Sequence, residues 1–181
     1  MARTGQPEEM AGVGQPPARS MTVMHTRFVD GLTIRPLLNG DTLTVEALFA
    51  RLGDRSRAQR FGGAKPRLTD VELDALARVD ATHHVLVAYA DGDRAPAGVA
   101  WLVADGGEAE IAFAVADGHQ RRGVGSALAR ELTADARAAG VTRLRATVRG
   151  ENDGALSLLR RCAGKLDVRF TGGEREILVA L

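Results

Sequence analysis

The apolar positions of this chain follow two rhythms, and each change of rhythm marks an element. Leu32–Leu37 reads as a strand, with Pro36 fitting an edge or a strand end. Asp41 is placed to cap a helix that carries Leu43, Ala47, Leu48 and Leu52 on one side and is ended by Gly53. Ser56–Phe61 reads as a short helical turn before the Gly62-Gly63 break. Thr69 and Glu72 form a capping box, continued by Leu73, Leu76 and Val79. Three strands follow, at 84–89, 97–104 and 108–115, separated by the turn sequences Asp91-Gly92-Asp93 and Asp105-Gly106-Gly107, which imply antiparallel neighbours. Helical spacing returns with Leu128, Leu132 and Ala136 in a helix from Ser126 to Ala139, stopped by Gly140. A strand at Leu144–Val148 and a helix at Asn152–Cys162, with Ala155, Leu158 and Leu159 inward, come next. Val168–Phe170 and Glu176–Leu181 close as a hairpin around Thr171-Gly172-Gly173. This order predicts a mixed sheet with helices on its faces, an α/β (mixed α+β) layered fold.

Ahead of these elements, Gly5, Pro7, Gly12, Gly14, Pro16 and Pro17 break every period. Roughly the first 26 residues are therefore expected to be a disordered tail, and 27–181 a single domain. A length of 181 residues suits one core. Aromatics make up only 4%, so that core is built from Ala, Val and Leu. The net charge of +1 excludes the broad basic face that nucleic acid or an anionic membrane would require. Lys65 and Lys165 are the only lysines, so almost all the positive charge is arginine, suited to gripping phosphate or carboxylate. The lone Cys162 excludes an internal disulfide and a Cys-based zinc site; its helical position reads as a small core residue. No apolar run is long enough to span a bilayer, and Met1–Arg27 lacks the apolar stretch of a secretory signal, so the expected location is cytoplasmic.

The chemistry concentrates in Gln120-Arg121-Arg122-Gly123-Val124-Gly125-Ser126, after a strand and at the opening of a helix. Gly123 and Gly125 let the backbone bend and a ligand approach its N–H groups. Those N–H groups begin a helix, so they lack intrahelical partners and sit at the positive end of its dipole. With two arginines alongside, this is an anion site of pyrophosphate size. It matches neither the phosphate loop ending in Lys-Ser/Thr nor the three-glycine dinucleotide fingerprint. The plain alternative is a glycine-bearing turn with solvated arginines.

The run Val115–Gly125 resembles the acyl-CoA loop of the GNAT superfamily of N-acetyltransferases, Gln/Arg-x-x-Gly-x-Gly/Ala after a strand ending in a hydrophobic residue. Asn152 followed by Ala155 and a helix resembles a second element of that family, and the element order from Leu32 to Leu181 fits throughout. The stretch Ala109–Asp117 looks most like bacterial protein-lysine acetyltransferases. The resemblance implies a mostly antiparallel sheet of about seven strands with a splayed parallel pair, flanked by about four helices. It implies acetyl-CoA, or a related acyl-CoA, as co-substrate, with no metal. It implies that the amides from Arg121 to Ser126 hold the pyrophosphate, that Phe113 and Val115 pair with the pantetheine arm, and that Asn152 bonds it from across the gap. The partner would be an amine acceptor, a protein lysine or a small molecule, and family analogy adds a homodimer.

Under that resemblance an amine attacks the thioester directly, and the Val115 N–H is the expected donor to the developing oxyanion. A lysine amine has a pKa of about 10.4, so near neutral pH a base must take its proton. Glu110 is the candidate: alternation places it with Ala112 and Ala114, away from Ile111 and Phe113, and a glutamate in the matching place is the base proposed in the protein-acetyltransferase branch. Its alternative is a solvated carboxylate on a strand face. Many family members carry a tyrosine seven residues after Asn152 as the acid for the leaving thiolate; Leu159 stands there here, and neither Ser157 nor Cys162 is an obvious substitute. His83 and His84 open a strand that either could turn to the acceptor cleft, with structure favoured over metal, and His119 reads as a loop residue. Arg55, Arg57, Arg60 and Phe61 fall where this fold shapes its acceptor pocket; they suit an acidic acceptor or form a solvated helical face. Trp101 reads as core. Two rival readings are a CoA-binding regulatory domain without turnover and a general anion-binding α/β domain.

Overall fold

The computed structural model describes residues 25–63, 65–150, 152–162, 166–171 and 174–181. The elements run β1 (Arg27–Val29), β2 (Leu32–Pro36), α1 (Thr42–Ala50), α2 (Asp54–Phe61), α3 (Asp70–Leu76), β3 (His83–Ala90), β4 (Gly98–Asp105) and β5 (Glu108–Val115). After a single 3-10 turn at Asp117–His119 come α4 (Val124–Ala138), β6 (Arg143–Arg149), α5 (Asp153–Cys162), β7 (Leu166–Thr171) and β8 (Glu174–Ala180). The strands form one sheet in the order β1-β2-β3-β4-β5-β6-β8-β7. Every neighbouring pair is antiparallel except β5 and β6.

Local chemistry sets the helix ends. Asp41 Oδ1 accepts from the Thr44 N–H (3.1 Å) to open α1. Thr69 and Glu72 exchange both bonds of the capping box at α3. Gly140, at φ 86°, follows α4 in the left-handed conformation that ends helices. The Oδ1 of Asn152 accepts from the Ala155 N–H (3.0 Å) to open α5.

The sheet has a buried layer on each face. One face packs Leu86, Leu102, Ile111, Leu144 and Ile177 against Leu128, Leu132 and Ala136 of α4 and Leu159 of α5. The other packs Val85, Val87, Val99, Trp101 and Ala114 against α1, α3 and the segments around them. A side chain at Gly98 on β4 would press to 3.0 Å from Val124 and Leu128, so α4 lies close on the sheet beside the end of β5.

Within the first layer lies a buried ionic cluster. Asp135 of α4 accepts from His84 Nε2 on β3 (2.9 Å) and from both terminal nitrogens of Arg27 on β1. Burial alone would raise the Asp135 carboxyl, but the bonds from His84 and Arg27 outweigh it and hold it below the usual carboxylate range. His83 pairs instead with Asp80 (2.9 Å). Neither histidine lines the large cavity described below, so the expected option of a histidine facing the acceptor cleft falls away.

The structure bears out the expected fold class and refines its details. Among the described residues the sheet has eight strands, because Arg27–Val29 adds one outside Leu32. Among the same residues there are five helices, because Asp54–Phe61 is a helix of eight residues rather than a turn. Leu43 is exposed; Leu48 and Leu52 are buried as expected, together with Val45 and Phe49. Gly53 does not end α1, which closes at Arg51, but opens α2. Pro36 ends its strand, as one of the two expected options had it, and that strand is interior, β2 lying between β1 and β3. The expected tail falls outside the described residues except for its last two positions, as do the hairpin glycines Gly172 and Gly173 and the side chain of Cys162.

Asp135→Asn should therefore destabilise the protein by about 3 kcal/mol, by removing the carboxylate that the buried His84 and the partly buried Arg27 share. The carboxylate is depressed in the folded state, so its stabilisation is present above its unfolded pKa of about 3.9 and is lost as pH falls through the lower folded value. Urea midpoints across an acid pH series check both. A change under about 1 kcal/mol would show that the cluster is inert.

Candidate active site

The parallel ladder between β5 and β6 joins only Glu108 to Arg143, Ala109 to Leu144 and Glu110 to Arg145. Both strands continue, to Val115 and Arg149, without further pairing. The gap faces the backbone of β5 directly. The Ala116 N–H donates to Ala97 O (2.9 Å), and main-chain groups alternate sides along a strand. Ala112 and Ala114 thus turn theirs toward β4, while Phe113 and Val115 turn theirs into the gap. Gln120 Nε2 donates to the Val115 carbonyl (3.2 Å).

The loop after β5 is held from its far side. Asp117 accepts from the Gly53 N–H (3.1 Å), Ser56 Oγ (2.7 Å) and Gln120 Nε2 (3.1 Å), fastening the loop to the start of α2. Sequence reasoning missed Asp117; its signal was an Asp just before a glycine at the strand end. The Gln120 carboxamide is committed to these internal contacts. His119 meets Arg51 and Asp93, as befits a loop residue. Arg121 at φ 59° and Gly123 at φ 87° bend the chain twice in the left-handed region. Gly123 is the N-cap of α4 and has no side-chain cap. The first helical bond runs from the Ala127 N–H to Gly123 O (2.9 Å), so the Val124, Gly125 and Ser126 N–H groups open the helix without partners in it. This bend and helix mouth form an anion cradle.

One cavity of about 830 Å³ joins these parts. It is lined by Glu110–Val115 except Ala114, by Ala146–Arg149 of β6, by Gln120, Arg121, Gly123, Gly125 and Ser126, and by Asn152 and much of α5. Arg122 and Val124, also expected at the site, do not line it: Val124 is buried in the core and Arg122 reaches back to Gly118 O (3.4 Å). Asn152 lines it while its Oδ1 caps α5. Arg161, not anticipated, donates to Ser126 Oγ (2.8 Å) across the helix mouth. Leu159 is buried in the core, as its place in an inward helical row requires.

At the opposite end, Glu110 is half exposed, 3.8 Å from Arg145. Arg60 of α2 lines the same space, stacked 4.7 Å over Trp101 and 5.0 Å over Phe61. Arg149 closes the rim through Glu174. Arg57 turns elsewhere, over Phe49 (4.4 Å), and Arg55 is exposed. Trp101 is buried, and its Nε1 donates to Leu76 O (2.9 Å). Among the described residues no His, Cys, Asp and Glu cluster suits a metal ion, and no helix is long and apolar enough to cross a membrane.

Residues 51–164 match the acetyltransferase (GNAT) family. The GNAT domain of Streptomyces lividans PAT superposes with a TM-score of 0.74 at 25% identity, over 83% of this chain and 90% of that one. A GCN5-related N-acetyltransferase from Kribbella flavida gives 0.65 at 22% identity, over 84% and 99%. Salmonella typhimurium yncA, solved with its cofactor acetyl-CoA, gives 0.58 at 19% identity, over 84% and 94%. The chain belongs to the acetyltransferase (GNAT) family and is an acyl-CoA-dependent N-acetyltransferase.

Two glycine substitutions separate conformation from space in the loop. An added Cβ at Gly123 meets nothing within 4 Å, but its φ of 87° disfavours a side chain by about 1–2 kcal/mol. At Gly125 an added Cβ makes only ordinary contacts, 3.6 Å or more, and alanine gains helix propensity. In chemical denaturation Gly123→Ala should lose about 1–2 kcal/mol, and Gly125→Ala should lose nothing. Equal losses would contradict the backbone geometry described.

Proposed function

We propose that this enzyme moves an acetyl or short acyl group from acyl-CoA to a primary amine by direct attack, with acetyl-CoA as co-substrate and Glu110 as general base. The observation that carries the reading is the single cavity that runs from the amide-lined mouth of α4, between the ends of β5 and β6 that do not pair with each other, to Glu110.

The diphosphate would lie on the amides from Arg121 to Ser126, where the helix dipole favours negative charge. The pantetheine arm would take the place of a strand beside β5, bonding to the main chain of Phe113 and Val115, with Asn152 facing it from the start of α5. The thioester then reaches the Val115 N–H, which would donate to the oxygen as charge develops on it. Glu110 takes the proton from the attacking amine, directly or through a water. No side-chain acid is assigned, since Leu159 is buried where many family members carry tyrosine; the CoA thiolate departs unaided. The acceptor expected from the sequence is a protein lysine, with a small-molecule amine as the close alternative.

Glu110→Gln should lower kcat about 10²–10⁴-fold near neutral pH, with the deficit shrinking as pH approaches the amine's own pKa. Thiol release from acetyl-CoA across a pH series checks this, and acetyl-CoA should raise the melting temperature of wild type and variant alike. An unchanged rate at every pH would remove Glu110 as the base. Equal stabilisation by ATP would make the loop a general nucleotide site.

A further inference from the structure

We propose that Arg60 is the anion-binding residue at the acceptor end of this cavity, and that the acceptor presents a carboxylate in the same molecule as its reacting amine. The inference rests on the acyl-transfer reading and names the acceptor's chemistry. Arg60 lies on a helix whose other arginines do not line the cavity. It is clamped over Trp101 and Phe61, which fixes the plane of the guanidinium. Its Nε is buried with no hydrogen-bond partner, and no carboxylate of the described residues forms an ion pair with it. Neighbouring arginines are served: Arg149 pairs with Glu174, and Arg145 contacts Glu110 and Glu176. Arg57 also has a buried unbonded Nε, but its Nη2 donates to Phe49 O (3.3 Å) and it lines a separate small cavity.

Burial pulls the Arg60 guanidinium down to about 10, opposed by the negative charge of Glu110 and assisted by Arg149, so it stays cationic at neutral pH. A partly desolvated cation with no ion-paired carboxylate is better satisfied when a ligand supplies one. The planar fork of arginine matches a carboxylate better than any neutral group. Glu110 is near enough for its charge to act on Arg60. The cavity thus offers a carboxylate to an amine and, beside it, a guanidinium to an anion. A molecule bearing both groups satisfies both ends.

The test uses the full chain saturated with acetyl-CoA and matched acceptors that differ only in charge. The pairs are 4-aminobutyrate against butylamine, a free amino acid against its amide, and a lysine peptide with neighbouring Glu against neighbouring Gln. At least one carboxylate member should be favoured about tenfold or more in kcat/KM, mainly through KM. Arg60→Gln should erase that preference while leaving the acetyl-CoA thermal shift intact, and Arg60→Lys should restore part of it. Preference in a free pair identifies a small amino carboxylate, and preference in the peptide pair alone identifies a lysine beside an acidic residue; both support the proposal. No preference in any pair, or a preference that survives Arg60→Gln, overturns it. Calorimetric titration of 4-aminobutyrate into CoA-loaded protein reads the same site without turnover. Carboxylate binding that depends on Arg60, with no transfer to any amine, would sink the acyl-transfer reading and leave the Arg60 assignment standing.

Discussion

The site depends on one broken ladder. β5 and β6 pair through three residues, then part, although both strands run on. A buried strand edge with unpaired main-chain groups is normally a liability. Here the liability is contained, because the open edge faces a cavity rather than bulk solvent, and its ends are fixed. Glu110 and Arg145 still meet where the ladder stops. Beyond Val115 the chain is fastened by Asp117 to α2 and by Val124 to the core. The parting of the strands is therefore built into the sheet, and α4 is aimed by the same contacts.

That arrangement divides the cavity by charge. The helix mouth offers amides and a dipole, with Arg121 and Arg161 beside them. The far end mixes Glu110 and Glu174 with Arg60 and Arg149. On the proposed reading, this division of charge would draw a strongly anionic coenzyme to the first end and a smaller ligand of mixed charge to the other. The apolar strip between them, formed by Ile111, Phe113, Ala146 and Val148, carries no charge to disturb a neutral thioester.

Much of this was legible in the sequence, because local rules wrote it. The capping box at Thr69, the stop at Gly140 and the two short turns between β3, β4 and β5 are fixed by neighbours in the chain. Gly123 and Gly125 announce the helix mouth for the same reason. What escaped was set by distant partners. β1 is three residues long, and its Arg27 reaches Asp135, 108 positions away. Leu43 sits on the helical face that its spacing allowed, but the sheet lies on the side of Val45 and Phe49. Arg60 is one of several arginines that the sequence places near the acceptor pocket, but the Trp101 and Phe61 rings that set it apart from Arg55 and Arg57 are not legible there. Arg122 and Val124 belong to the loop motif, yet the twist at Arg121 sends one away from the cavity and the other into the core.

The most direct measurement is a titration of ¹⁵N-labelled protein with acetyl-CoA, followed by amide shifts and hydrogen exchange. The amides of Gly123–Ser126 should move together with those of Phe113 and Val115 and become protected, while those of β1 and β2 stay still. Saturable binding that leaves the Phe113 and Val115 amides unperturbed would mean that the coenzyme does not enter the gap between β5 and β6.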